Sequence, residues 1–183
     1  MAEPVTNPET FQKVVQALSR YSEGGLYCDI FRTGCYMGIR ASDLLALEFD
    51  DFKDDLLKVK EKKTGKINSI HCPPAVLEIV QRRKKAFPND KYLFQGKSNR
   101  GQNKPLSIRA FNMALEYAAK KTGLTGKLSS HSMRKTLGYT VYKKTNDLAL
   151  VCKMLNHSSI KETLCYIGME AEKEAKARAE LTF

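Results

Sequence analysis

The sequence predicts a mainly α domain (α+β) that carries one small β-hairpin or sheet. Apolar residues recur at helical spacing along most of the chain, a single stretch near residue 57 alternates instead, and cap residues, prolines and glycines separate the segments. A chain of 183 residues, 42% of them hydrophobic, suits one domain with a sizeable core. It contains no internal repeat, low-complexity tract or linker, so one α-rich unit is the simplest organisation.

Phe11, Val14, Val15 and Leu18 fall at i, i+3, i+4 and i+7 behind an Asn7-Pro8 start signal, which predicts the first helix. Leu26, Ile30 and Phe31 open a second helix that should stop between Gly34 and Gly38. Ser42 is expected to cap a short third helix through Leu47, and the acidic stretch 48–55 reads as a turn. Leu57 and Val59 then alternate with lysines, and Ile67 and Ile70 follow a Lys-Thr-Gly-Lys turn, so a hairpin with its tip at 62–66 is predicted. Pro73-Pro74 ends it. Val76, Ile79, Val80 and Phe87 mark a fourth helix, and residues 95–105 form a polar, basic loop. A fifth helix through Ile108, Phe111, Leu115 and Ala118 starts behind Ser107. Further helices are expected near 130–143, 147–155 and 159–168. Ile160, Leu164 and Ile167 are taken as the buried face of the last one.

The charge narrows the partners. A net charge of +11 suits an anionic partner, and nucleic acid fits better than a membrane surface, because the basic residues are spread along the chain rather than collected on one amphipathic helix. No apolar run approaches the ~20 residues that span a bilayer, and the N-terminus lacks the pattern of a secretory signal. A cytoplasmic, nucleoid-associated protein is expected. The five cysteines are scattered without a Cys-x-x-Cys pair. They read as free thiols filling a core rather than as a disulfide framework or zinc site.

The last third concentrates groups suited to phosphate chemistry. His131 and Arg134 stand three apart and share a helical face, off the stripe of Met133, Leu137 and Val141. Leu155-Asn156-His157 follows, and Tyr166 comes nine residues after His157. Tyr166 lies roughly 200° around the helical wheel from Leu164, at about 100° per residue, and therefore off the predicted core stripe. Taken singly, each of these residues is most simply a structural one, a half-buried tyrosine or a satisfied histidine, and Arg40 alone would read as an arginine that caps a turn or pairs with Asp43.

Together with Gly-Ile-Arg-Ala-Ser-Asp-Leu-Leu-Ala-Leu (38–47) and Lys-Lys-Thr-Gly-Lys (62–66), these motifs stand in an order that resembles the tyrosine recombinase or phage integrase family. The resemblance runs from about Thr10 to Gly168. It implies an integrase-like DNA breaking-and-rejoining fold and a site-specific recombinase acting in integration, excision, inversion or resolution. It also implies that Tyr166 is the nucleophile, Arg40 and Arg134 the catalytic arginines, His131 the histidine of His-x-x-Arg, His157 that of the Leu-x-His motif, and Lys63 the hairpin lysine. Lys62 and Lys66 compete with Lys63 for that last role. The resemblance further implies a covalent 3′-phosphotyrosyl intermediate needing neither ATP nor a metal or other cofactor.

The chemistry of these residue types agrees with the roles. An arginine fork can hold two oxygens of a phosphate as negative charge builds at phosphorus. A tyrosine with an ordinary pKa near 10 needs help to lose its proton; the surrounding positive charge is expected to lower that value, with His131 as proton acceptor. Lys63 would protonate the departing 5′-oxygen, and His157 would hydrogen-bond a phosphate oxygen. Lys62, Lys66, Lys97, Arg100 and Lys104 are expected to touch DNA phosphates, which position a duplex without specifying its sequence.

Residues 1–168 read as the catalytic domain and 169–183 as a tail that docks on a neighbouring protomer, with Leu181 and Phe183 as anchors. The N-terminal DNA-gripping domain of most family members is read as absent. The implied partners are double-stranded DNA, as a monomer when free and a tetramer on DNA, and a full-length recombinase or accessory protein. Two departures stand out: Asn156 where glycine is usual before the histidine, a residue that also tolerates a left-handed backbone, and Lys135 after His-x-x-Arg, read as a lysine beside DNA. A type IB topoisomerase-like enzyme and a catalytically weak DNA-binding regulator are the competing readings.

Overall fold

Helix-forming periodicity and local caps account for most of the architecture. The computed structural model describes residues 2–63, 65–96, 103–167 and 178–180, and the side chains within them except those of residues 23, 165 and 167. Lys97, Arg100, Leu181 and Phe183 lie outside the described residues, as does most of the expected docking tail. Helix α1 (Pro8–Tyr21) begins where Asn7 Oδ1 accepts from the backbone N–H groups of Glu9 and Thr10. Helix α2 (Leu26–Met37) ends at Gly38, which takes φ +62. A side chain there would be strained by that backbone and would press on Leu137, so glycine is required.

Helix α3 starts and ends two residues earlier than expected, at Ala41–Leu45. Ser42 is not its cap. Arg40 occupies the cap position in extended backbone, and its carbonyl accepts from the N–H groups of Asp43 and Leu44. The acidic stretch also holds more than a turn. A 3-10 turn at Phe49–Asp51, boxed by reciprocal Glu48 and Asp51 hydrogen bonds, leads into strand β1 (Phe52–Lys53). Asp54, with φ +55, then turns the chain into β2 (Leu56–Lys60), which pairs antiparallel with β3 (Ile67–His71). The sheet is three-stranded, in the order β1-β2-β3. Leu57 and Val59 face the core, whereas Ile67 points outward and is 71% exposed, because the register opposite Lys60 turns Asn68 and Ile70 inward instead.

Helix α4 (Pro74–Ala86) follows Pro73, and α5 (Ile108–Thr122) starts on the Ser107 cap. Helices α6 (Ser130–Thr145), α7 (Leu148–Met154) and α8 (Ile160–Ile167) complete the described fold. One core lies among α1, α2, α5, α6 and the sheet, centred on Leu18, Ile30, Phe31, Leu57, Phe111 and Met133. A second, smaller cluster of Tyr142, Val151 and Leu155 joins α6 to α7 and receives the ring of Tyr166 from α8. Ile160 is 47% exposed and Leu164 only half-buried; among the described side chains of α8 the fully buried one is Thr163, and the side chain of Ile167 lies outside the described residues. No helix among the described residues is long and apolar enough to cross a membrane.

Candidate active site

The residues singled out in the sequence meet at the N-terminal ends of α3 and α6, beside the hairpin tip and α8. Arg40, Lys63, His131, Arg134, His157 and Tyr166 line one cleft of about 280 Å³ together with Ser42, Ser130, Ile108 and Glu162. Each is delivered by a different local device. Arg40 sits at the α3 cap, directly behind the Gly38 turn. His131 and Arg134 lie on the first turn of α6, which is fixed by a Ser129–Ser132 capping box and by Ser130 N–H donating to Asn112 Oδ1. His157 follows Asn156, whose φ of +51 is the left-handed turn that asparagine tolerates.

Arg134 is the anchor of the cleft. It lies off the apolar stripe as expected, yet it is buried rather than presented at the surface, at 4% exposure. Its Nη1 donates to the Gly38 carbonyl, and its Nη2 donates to the Leu155 carbonyl (2.8 Å) and to His157 Nε2 (3.2 Å). One guanidinium therefore ties α6 to the two turns that carry Arg40 and His157. Burial pushes its pKa down, opposed chiefly by Tyr166. An arginine keeps its charge regardless.

Arg40 pairs with Glu61 rather than Asp43. Glu61 is 1% exposed at the end of β2, where its backbone also closes the hairpin turn against Lys66 and Gly65. Asp43 instead accepts from the Lys62 backbone N–H (3.2 Å). These two carboxylates seat the hairpin against α3, and neither was expected as a site residue. Of the competing lysines, Lys63 lines the cleft, Lys62 lines a separate hollow beside Asp43 and Asp51, and Lys66 is exposed. Lys104 is exposed on its loop and does not line the cleft.

Tyr166 is held in three ways. Its ring stands edge-on to His157 (centroids 5.1 Å apart), and the Arg134 and Lys135 cations lie 5.9 and 5.4 Å from its centroid. Its hydroxyl donates to the His131 backbone carbonyl at 3.4 Å. Burial raises its pKa above the ordinary tyrosine value, only partly offset by Arg134 and Arg40. This reverses the expected direction: the cations are present, but burying the ring against α6 and α7 costs the phenolate more than they return. Lys135 is likewise not a surface lysine. It is 6% exposed, and burial lowers its pKa.

Comparison with known proteins gives the family and the fold. The phage integrase family model fits residues 9–173. The chain belongs to the phage integrase family. A probable integrase/recombinase, YoeC of Bacillus subtilis (strain 168), is 32% identical over 174 residues, covering 94% of this chain and 92% of its own length. Among solved structures, the XerH site-specific recombinase in a post-cleavage complex with palindromic difH substrate superposes with a TM-score of 0.74 at 17% identity, covering 98% of this chain and 54% of that one. A lambda integrase tetramer bound to a Holliday junction gives 0.72 at 18% identity, covering 91% and 48%. The integrase chain thus spans about half the length of these two solved proteins, and its fold is theirs over that half.

Proposed function

We propose that this integrase-family chain cleaves and rejoins DNA as a site-specific recombinase, with Tyr166 attacking a backbone phosphate. The observation that carries the reading is the meeting of two arginines, two histidines, a lysine and a tyrosine hydroxyl at one cleft, drawn from four separate parts of the chain. The Tyr166 oxygen forms a bond to phosphorus while the bond from phosphorus to the 5′-oxygen breaks, leaving a 3′-phosphotyrosyl link. Arg40 and Arg134 hold the non-bridging oxygens as charge grows on them. Tyr166 enters as the phenol. Its proton passes to His131, whose own carbonyl holds the hydroxyl in the resting protein, and Lys63 supplies a proton to the leaving 5′-oxygen. Attack by a 5′-hydroxyl on the phosphotyrosine reverses the step, so the bond energy is retained without ATP. Lys62, Lys66, Lys97, Arg100 and Lys104 serve as phosphate contacts. Four protomers assemble on DNA, as in the lambda integrase tetramer, with residues 169–183 docking on a neighbour.

A nicked suicide duplex tests this. Wild type should yield a covalent protein–DNA band that survives denaturing electrophoresis, and Tyr166→Phe should yield none. DNA shifted by both proteins without covalent product, across candidate sites, would favour a DNA-binding regulator.

A further inference from the structure

The hydrogen bonds around His157 run in one direction, and they end on a residue that the proposed mechanism does not use. Thr163, on the first turn of α8, is 0% exposed. Its Oγ1 lies 3.0 Å from His157 Nδ1 and 3.3 Å from the Ser159 carbonyl oxygen. On the other side of the ring, Arg134 Nη2 lies 3.2 Å from His157 Nε2.

A guanidinium can only donate and a backbone carbonyl can only accept, so the two ends of this chain are fixed. Nε2 must accept from Arg134 and therefore carries no hydrogen. A neutral imidazole then holds its proton on Nδ1, which donates to Thr163 Oγ1. The threonine hydroxyl in turn donates a hydrogen bond to the Ser159 carbonyl. The opposite sense would set an Nε2–H against an arginine N–H, donor against donor. An imidazolium would do the same and add a like charge. The charged and titratable groups that act on the ring are Arg134, Glu162, the paired Arg40 and Glu61, and the edge-on Tyr166. Burial and Arg134 both push His157 below the ordinary histidine range, in keeping with a neutral ring.

We infer that Thr163 is a positioning residue that locks His157 in the Nδ1–H tautomer, so that Nε2 holds the Arg134 guanidinium in register for phosphate. In the free protein His157 is thus an acceptor that orients Arg134. Three of the five guanidinium N–H groups are taken up by Gly38, Leu155 and His157, which leaves two on a side chain that lines the cleft and interacts with Tyr166. The catalytic consequence rests on the proposed function, but the tautomer does not.

Long-range proton–nitrogen correlation spectra of the full chain with ¹⁵N-labelled histidine read the tautomer directly, with the three histidines assigned by single glutamine substitutions. At neutral pH His157 should show a protonated Nδ1 and a bare Nε2. Thr163→Ser should keep this pattern, whereas Thr163→Val should lose it. On the suicide duplex at saturating DNA, Thr163→Val should slow covalent product formation on the order of tenfold with little change in DNA affinity, and Thr163→Ser should restore most of the rate. An Nε2–H ring in the wild type would overturn the inference, as would an unchanged tautomer and rate in a folded Thr163→Val. If the valine variant does not fold, the wild-type and serine spectra decide. Failure of wild type to form any covalent product would remove the proposed function and leave the tautomer result standing.

Discussion

Tyr166 and His157 show how burial sets the chemistry of single residues at this site. The Tyr166 ring is packed on the small α6–α7 cluster, so its hydroxyl meets the cleft as a phenol despite two nearby arginines. His157 is shifted the other way, held neutral by burial and by Arg134. A histidine whose folded pKa lies below its unfolded value takes up its proton first in the unfolded state. It therefore contributes stability above about pH 6.5, and that contribution is lost as pH falls through the unfolded value toward the folded one. Urea unfolding between roughly pH 7.5 and 5.5 should show wild-type stability falling with acidity, with a shallower fall in His157→Gln. Equal slopes would mean that His157 titrates alike in both states.

At the scale of elements, the site depends on short connections more than on long helices. The Gly38 turn ends α2, places Arg40 at the α3 cap and offers its carbonyl to Arg134. Gly38→Ala should cost about 1–3 kcal/mol, from the left-handed backbone and the new contact with Leu137. The check is a lower urea midpoint at unchanged slope, together with a reduced covalent yield on the suicide duplex. These connections were partly legible in the sequence. The Asn7 and Ser107 caps, the Gly38 stop and the left-handed Asn156 follow from residue type and immediate neighbours, and the structure has them. Ser42 was misplaced because the extended Arg40, not the serine, starts the helix. On α8, Ile160 was expected in the buried face but is exposed, and a fully buried position is filled by a polar threonine that periodicity of apolar residues does not register.

Across the whole molecule, the net charge of +11 is the feature that suits the proposed DNA partner at long range. Affinity for a duplex should fall linearly on a log–log plot against salt, with a slope of about −0.9 for each phosphate neutralised. Lys63→Ala should make that slope shallower by about one and weaken binding alike on cognate and random duplexes, as measured by fluorescence anisotropy across a salt series. A loss confined to the cognate site would instead make Lys63 a reader of base sequence.

The sequence by itself determined the helical class, the hairpin, most helix starts and stops, and the residues proposed to carry the chemistry. These rest on interactions within a few positions of each residue, and on motif order. Only the tertiary structure decided what surrounds those residues. Glu61 meets Arg40 across 21 positions, Arg134 meets Gly38 across 96, and Tyr166 meets the His131 carbonyl across 35. Such pairs depend on the path of the chain, which brings together groups whose local sequences carry no trace of one another. The same path buries Tyr166 and Arg134, and desolvation is what sets the direction of their pKa shifts.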